Sequence, residues 1–251
     1  MSAMSLSRVF LLGVPLDPVT REEAVVRLLD MLAGDTQHHV MTPNNEMLVT
    51  AHSHAAFRAV LRSTALNLPD STGLLLAARL TGQQLPERVT GADTVAALCA
   101  RLPAQHSVFL LGAQPGVAEK AAAALQDHSP KLVIAGTYAG SPAPHEVEAI
   151  IQKINASDAR LLLVAYGAPS QDLWIAQYMH RLPAVRVAIG VGGTFDFLAG
   201  TAKRAPRWMR KAGLEWCWRF VQQPSRWKRM WNAVIVFPLL VLRYGKGITD
   251  Q

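Results

Sequence analysis

An aspartate between a short apolar run and a helical stretch is the first side chain placed to do chemistry. Asp70 stands in the segment Leu-Pro-Asp-Ser-Thr-Gly, residues 68–73. A carboxylate at the end of a strand can accept a proton from an attacking hydroxyl, and so act as a general base. The same position is typical of a helix N-cap, although Ser71 and Thr72 are also good capping residues. Both roles for Asp70 remain open at this point.

Four other polar residues stand near predicted turns. Thr42 and Asn44 belong to a Thr-Pro-Asn-Asn segment before a helix, and Gln171 begins a helix after the Gly167 loop. Helix capping is the ordinary role for such positions. Arg88 is either a surface charge or a contact for phosphate or carboxylate, which arginine binds through two parallel hydrogen bonds.

The sequence predicts neither a metal site nor a cofactor. Four histidines in the first sixty residues suggest a metal hypothesis, but no Cys partner and no His-Glu-x-x-His pattern supports it. The chain also contains no Asp-x-Asp. If the protein handles a pyrophosphate, we therefore expect cationic side chains to neutralise it.

Short apolar runs that end in glycine alternate with helical stretches through the second half of the chain. Uninterrupted apolar runs are typical of parallel strands covered on both faces. The predicted strands are 108–112, 132–136, 161–167 and 187–190, and the predicted helices between them are 116–127, 144–154 and 170–181. This alternation predicts an α/β fold with a doubly wound, mainly parallel sheet and helices on both faces.

The first hundred residues are compatible with the same class. We expect strands near 10–14, 39–42 and 66–68, and helices at 20–33, around 45–62 and at 71–80. A shift in composition near Thr201 predicts a catalytic body over residues 1–200 and a helical appendage over residues 201–251.

The appendage carries most of the charge asymmetry of the chain. It holds eleven Lys or Arg side chains against two acids, and five of the six tryptophans. Indole rings favour the headgroup level of a bilayer and basic side chains favour phosphates, so this composition predicts an anionic membrane surface as partner rather than nucleic acid. The apolar run 233–242, interrupted by Pro238, is too short to span a bilayer as a helix. We therefore expect a cytoplasmic protein, peripheral on the inner face of the cell membrane; a homo-oligomer is compatible with the sequence.

Nine ordered segments together resemble the WecG/TagA/CpsF family of bacterial glycosyltransferases. The resemblance extends from about Phe10 to Trp231. The segments are 42–46, 68–73, 88–93, 108–113, 167–171, 190–196, 203–208, 213–216 and 223–226.

The resemblance implies an inverting, metal-independent transferase without a cofactor. Such enzymes move a sugar, typically N-acetylmannosamine, from its UDP donor to an N-acetylglucosamine on undecaprenyl diphosphate. They act in the synthesis of wall teichoic acid, enterobacterial common antigen and other surface glycans. Transfer of glucose or another hexose in exopolysaccharide synthesis is an alternative within the family. A Rossmann-type nucleotide-dependent oxidoreductase is a remote one, because the Gly-x-Gly-x-x-Gly turn with its following acid is missing.

The resemblance also implies roles for individual residues. Asp70 matches the proposed general base, Thr42 and Gln171 match residues beside the reacting sugar, and Arg88 matches a phosphate-side residue. The arginines that match those of the family's appendage, thought to contact the diphosphate, are Arg219, Arg226 and Arg229. Asn44 is a further candidate for substrate binding. Weaker candidates for holding the nucleotide are Gly112, Gly136, Gly192, Gly193 and Asp196.

Overall fold

The structure is a computed structural model that describes residues 7–206, 208–209, 213, 215–222, 224 and 227–247, without the side chain of Arg219. The chain forms two compact units. The sheet unit consists of Glu22–Thr42 and Gly91–Lys203, and the tail unit consists of Met1–Arg21, Pro43–Thr90 and Arg204–Gln251. The segment from Arg204 onward thus belongs to the same unit as residues 43–90.

The strands are β1 (Val9–Leu11), β2 (Val14–Leu16), β3 (His38–Met41), β4 (Leu66–Asn67), β5 (Val108–Gly112), β6 (Ile134–Tyr138), β7 (Leu161–Ala165) and β8 (Val187–Gly190). The helices are α1 (Arg21–Ala33), α2 (Asn45–Ser53), α3 (Ala55–Ser63), α4 (Thr72–Leu80), α5 (Gly91–Arg101), α6 (Val117–His128), α7 (Val147–Ala156), α8 (Ser170–Tyr178), α9 (Thr194–Leu198), α10 (Glu215–Gln222), α11 (Trp227–Trp231) and α12 (Phe237–Tyr244). Short 3-10 turns precede α7 and follow α8.

A parallel sheet forms the centre of the sheet unit. Its strands run in the order β3, β8, β7, β5, β6. Every residue of β5, β7 and β8 is buried, as uninterrupted apolar strands require. Residues of α7 and α8 pack with one face of the sheet in a shared hydrophobic cluster, and α6 contacts β5 and β6 outside that cluster. The predicted α/β class with a parallel sheet is confirmed.

The tail unit begins with a hairpin where a single strand near 10–14 was predicted. β1 and β2 pair antiparallel, with Leu11 opposite Val14. The two residues between them, Leu12 and Gly13, have positive φ angles of 50° and 69°. Positive φ at both positions is the geometry of the tight hairpin turn whose twist matches that of the flanking strands. The apolar run therefore folds back on itself instead of continuing.

The helix predicted around 45–62 is two helices. His54 interrupts it with an extended backbone, φ −118° and ψ 94°, and its Nδ1 accepts a hydrogen bond from the N–H of Phe57 at 3.2 Å. His54 thus ends α2 and caps α3, a role that the helical periodicity on either side does not reveal.

The helical segment after Trp227 continues through Pro238. Residues Asn232–Val236 form a π-helical segment between α11 and α12, and Pro238 lies in the first turn of α12. A proline lacks an N–H donor and crowds the preceding turn, so a widened turn before it lets the helix continue. In the part of the chain that the structure describes, no helix combines the length and apolarity needed to cross a membrane.

The end of α12 is tied to the hairpin within the tail unit. The N–H groups of Leu12 and Gly13 donate to the carbonyl oxygens of Gly245 and Lys246, at 3.1 and 3.0 Å. Phe237 and Val241 are buried on the inner side of the helix. Part of the basic appendage is therefore a packed element of this unit.

Candidate active site

Asp70 lies immediately before α4 without capping it. The N-cap is Ser71, whose Oγ accepts from the N–H of Leu74 at 3.4 Å. The N–H of Asp70 donates to the carbonyl oxygen of Pro43 at 2.9 Å, and the side chain is half-buried. The ordinary N-cap explanation of this acid does not hold, because the neighbouring serine performs that function.

Asn45 links the Asp70 loop to the appendage, a role that the sequence analysis missed. Ser71 Oγ donates to Asn45 Oδ1 at 2.6 Å, and Asn45 Nδ2 donates to the carbonyl oxygen of Ala233 at 2.9 Å. A Cβ on Gly73 would lie 2.1 Å from Asn45 Nδ2, so the bare backbone of Gly73 is what leaves room for this amide. The only sequence signal was its place beside Asn44, which caps α2 by accepting from the N–H of Met47 at 3.1 Å.

Arg88 faces helix α10 of the appendage. Its Nη1 lies 3.3 Å from Glu215 Oε2, and both side chains are largely buried. The N–H of Val89 donates to the carbonyl oxygen of Pro69 at 2.9 Å, which joins the Arg88 segment to the segment before Asp70. Within the tail unit, the backbone segments that carry Asp70 and Arg88 are thus hydrogen-bonded neighbours.

The three predicted appendage arginines are only partly described. Arg229 Nε lies 2.6 Å from Glu46 Oε1 at the start of α2. Arg219 belongs to α10, but its side chain, like the whole of Arg226, lies outside the described residues. The substrate-binding role of these three arginines therefore stays a prediction.

In the sheet unit, Thr42 and Gln171 meet at the carboxyl end of the sheet. Gln171 is 3% exposed, and its Oε1 accepts the N–H groups of Gly167 and Gly192 at 3.1 and 2.9 Å. Thr42 Oγ1 lies 3.5 Å from the carbonyl oxygen of Gly190. The Gln171 carboxamide therefore joins the loop after β7 to the loop after β8, and Thr42 lies beside the second loop.

The glycines proposed for nucleotide binding fall into two groups, one packed against aromatic rings and one in the loop after β8. A Cβ on Gly136 would lie 2.7 Å from the Phe109 ring, and one on Gly112 would lie 2.8 Å from the Tyr166 ring. Both glycines therefore serve close packing of aromatic side chains. The loop after β8 also contains Gly193, which precedes α9, and Asp196, whose carbonyl oxygen accepts from Thr201 Oγ1 at 3.1 Å. The nucleotide-binding roles of all these residues stay predictions.

The pairing of Asp172 with the half-buried His39, close to Gln171, was not predicted from the sequence. Asp172 is fully buried, and its Oδ1 lies 3.6 Å from Nε2 of His39 on β3. Burial raises the pKa of the Asp172 carboxyl above its ordinary value, and the nearby His39 and Gln171 oppose part of that rise. An aspartate at the start of a helix usually caps it. Nothing in the local sequence distinguishes Asp172 from such a capping residue.

The histidines that suggested a metal have other contacts. His54 caps α3, His39 faces Asp172, and the rings of His52 and Tyr244 lie 5.0 Å apart. Among the described residues, no three His, Cys, Asp or Glu side chains come together in a group that could hold a metal ion.

Comparison with known proteins identifies the family. Residues 9–250 match the family model described as "Glycosyl transferase WecG/TagA/CpsF family". The chain belongs to this family. It is therefore a glycosyltransferase, as the resemblance of its ordered segments predicted.

Two curated relatives share a third of their aligned residues with this glycosyltransferase. A Bacillus subtilis protein is 33% identical over 209 residues, which cover 83% of this chain and 80% of the relative. A Bacillus spizizenii protein is 33% identical over 192 residues, which cover 76% of this chain and 74% of the relative. Both relatives are named N-acetylglucosaminyldiphosphoundecaprenol N-acetyl-beta-D-mannosaminyltransferase.

Proposed function

We propose that the protein transfers N-acetylmannosamine from a UDP donor to the N-acetylglucosamine of an undecaprenyl-diphosphate-linked acceptor, with inversion at the anomeric carbon. The names of both relatives, which cover most of this chain, describe an acceptor and a transferred sugar of this kind. The catalytic part of the proposal is supported by the identity of the residue that caps α4. Ser71, and not Asp70, is the N-cap residue of α4, so the proposal gives the Asp70 carboxylate a different task, that of a general base.

In this mechanism Asp70 is the general base. Its carboxylate accepts the proton of the acceptor hydroxyl while that oxygen attacks the anomeric carbon from the face opposite UDP. The new C–O bond forms as the bond to the UDP oxygen breaks, and UDP leaves with the electron pair. A positioned general base contributes about 10²–10⁴-fold to such a step.

We propose that arginines stabilise the departing diphosphate without a metal ion. Charge grows on UDP as its bond breaks, so cations aimed at it stabilise the transition state more than the ground state. Arg88 is held against Glu215 by a partly buried ion pair, which orients its guanidinium in advance. Arg219, Arg226 and Arg229 are the further cations of this proposal. Our candidates for contacts with the transferred sugar and the rest of the substrate remain Thr42, Asn44 and Gln171.

The appendage is the proposed membrane contact and the element that completes the Asp70 region. Within the described part of the appendage, many large apolar side chains are exposed, and the cations Lys228, Arg229 and Arg243 are exposed as well. Exposed apolar side chains with neighbouring cations suit the interface of an anionic membrane. These apolar residues are Trp208, Trp216, Phe220, Val221, Trp227, Trp231, Val234, Ile235, Leu239 and Leu242. The proposal places the protein peripherally on the inner face of the cell membrane, where the lipid-linked acceptor is found.

The first experiment measures UDP release from UDP-N-acetylmannosamine with a short-chain undecaprenyl-diphosphate-N-acetylglucosamine analogue. Wild type is compared with Asp70→Asn and with Asp127→Asn, which changes an exposed acid of α6 in the same way. We expect acceptor-dependent release that falls by about 10²–10⁴-fold in Asp70→Asn only, with UDP binding retained. Equal loss of UDP binding and turnover would mean that Asp70 is structural.

The choice of sugar and the absence of a metal are tested in the same assay. UDP-glucose with a lipid-linked glucose acceptor replaces the first pair of substrates, and preference for it would move the protein to the hexose alternative. Activity should survive excess EDTA, since the proposed countercharge is arginine. Activity that appears only when magnesium is added would contradict the role given to the arginines.

A further inference from the structure

Asp172 occupies an unfavourable place for a carboxylate. It is fully buried in the first turn of α8, and neither carboxylate oxygen has a hydrogen-bond partner among the described residues. His39 Nε2, at 3.6 Å from Oδ1, is buried and without such a partner as well. Burying a carboxylate without hydrogen bonds is costly, so a side chain kept in this state calls for an explanation beyond packing.

The surroundings of Asp172 suggest what it does. A Cβ on Gly190 would lie 2.3 Å from Asp172 Oδ1 and 2.6 Å from Gln171 Nε2. The carboxylate oxygen and the amide nitrogen of Gln171 therefore approach the same bare backbone position. At the other end of that amide, Oε1 accepts the N–H groups of Gly167 and Gly192.

The carboxylate favours one of the two orientations of the Gln171 amide. In the observed orientation the NH₂ group is on the Asp172 side and the oxygen faces two N–H donors. With the amide reversed, its oxygen would face a carboxylate and its NH₂ group would face two donors, so both ends would be mismatched. The pair Asp172–His39 thus supports the orientation in which Gln171 joins the loops after β7 and β8.

We propose that Asp172, together with His39, is a positioning residue that orients the Gln171 carboxamide and thereby fixes the loop Gly190–Gly193. The inference rests on the proposed function in one respect, because this loop contains Gly192 and Gly193, our candidates for holding the UDP donor. It adds two residues to the donor side of the reaction that act through Gln171 and touch no substrate.

The test compares Asp172→Ala, which removes the carboxylate, with Asp172→Asn, which keeps one carbonyl oxygen on the side of the Gln171 NH₂ group. Asp127→Ala, at an exposed position of α6, is the matched control. We expect Asp172→Ala to raise KM for the sugar nucleotide about tenfold with a smaller change in kcat, because donor binding is impaired before chemistry. Asp172→Asn should recover most of that loss, and Asp127→Ala should match wild type.

Hydrogen–deuterium exchange gives a readout that needs no activity. In Asp172→Ala the amides of Gly167 and Gly192 should exchange about tenfold faster, because their shared acceptor is no longer held in place. His39→Leu should act in the same direction, and its effect should not add to that of Asp172→Ala, since the two residues serve one contact.

The outcomes separate this inference from the proposed function. Wild-type exchange at Gly167 and Gly192 in Asp172→Ala would overturn the positioning role. The positioning role would also be overturned if Asp172→Ala lowered kcat only in proportion to the fraction of folded protein and left KM unchanged. If wild type turns over no UDP-sugar, the proposed function fails, and the exchange rates alone then decide whether Asp172 holds the loop.

Discussion

The sheet unit and the tail unit place their candidate site residues in different surroundings. In the sheet unit, Thr42, Gln171 and Asp172 are all buried, and Gln171 accepts hydrogen bonds from two loop backbones. In the tail unit, Asp70 is half-buried, and Arg229 and the tryptophans of α11 are exposed. The polar groups named for the sheet unit are buried, whereas Asp70 and Arg229 of the tail unit lie closer to solvent. Arg88, which is largely buried in its ion pair with Glu215, is the exception in the tail unit.

This difference fits two tasks of the function that we propose, in which the sugar comes from a UDP donor and the acceptor is linked to a lipid. A nucleotide sugar is bound best by groups that are already oriented, because little ordering is then required on binding. A lipid-linked acceptor must be met at a bilayer surface, where apolar and basic side chains have to be accessible.

The largest expected difference is between the rates at which the two cysteines react with a thiol reagent. Cys99 in α5 is buried, and burial raises the pKa of its thiol from 9.0 to about 12, whereas Cys217 in α10 is half-buried. At pH 8 only about 10⁻⁴ of the Cys99 thiol is ionised, so a thiol reagent should label Cys217 at least about 10³-fold faster. Mass spectrometry of timed labelling measures the ratio. Equal rates would mean that the sheet unit opens as readily as the appendage.

The raised thiol pKa also gives a pH dependence. The folded protein keeps the Cys99 proton to a higher pH than the unfolded chain does, so the stability linked to this proton is lost as pH rises above 9.0. Cys99→Ala should show a weaker fall in the free energy of unfolding between pH 9 and pH 11 than wild type.

The next largest difference is expected between substitutions on the inner and outer sides of α12, measured as changes in the free energy of unfolding. Phe237 is 2% exposed, and Leu239, two residues later, is 60% exposed. Phe237→Ala should lower the free energy of unfolding by about 3–5 kcal/mol, because it leaves a cavity in the tail unit. Leu239→Ala should change it by no more than about 0.5 kcal/mol. Chemical denaturation measures both values, and a neutral Phe237→Ala would show that the appendage is not part of this core.

The exposed tryptophans should control membrane affinity. The double variant Trp227→Ser with Trp231→Ser should bind anionic vesicles about 100-fold more weakly, since losing about 1.4 kcal/mol of apolar transfer per indole ring costs tenfold. The matched control is Val26→Ser with Val133→Ser, which removes two exposed apolar side chains from the sheet unit. Vesicle sedimentation measures the affinities. A similar loss in both variants would remove the distinction between the units.

The smallest expected effect on stability concerns an exposed ion pair. Arg229 and Glu46 lie 2.6 Å apart, and Arg229 is exposed. A double-mutant cycle with Arg229→Gln and Glu46→Gln should give about 0.2–1 kcal/mol of coupling in the free energy of unfolding. If Arg229 also contacts the diphosphate, Arg229→Gln should reduce turnover far more than Glu46→Gln does. Equal turnover in the two variants would mean that Arg229 contributes only through its ion pair with Glu46.

The sequence by itself determined the features that depend on local pattern. The strands predicted at 108–112 and 187–190, and residues 161–165 of the one predicted at 161–167, are buried parallel strands, because a strand covered on both faces needs apolar side chains at every position. The ordered segments identified the family, and the composition of the appendage anticipated its exposed tryptophans.

Only the tertiary structure decided the features that join residues distant in the sequence. The hydrogen bond from Asn45 to the carbonyl oxygen of Ala233 and the ion pair of Arg88 with Glu215 on α10 each depend on how the chain packs. The pair His39–Asp172 brings a strand and a helix together, and either residue alone looks ordinary in the sequence. A local pattern records the periodicity of one element, whereas a buried polar contact depends on which elements the fold brings side by side.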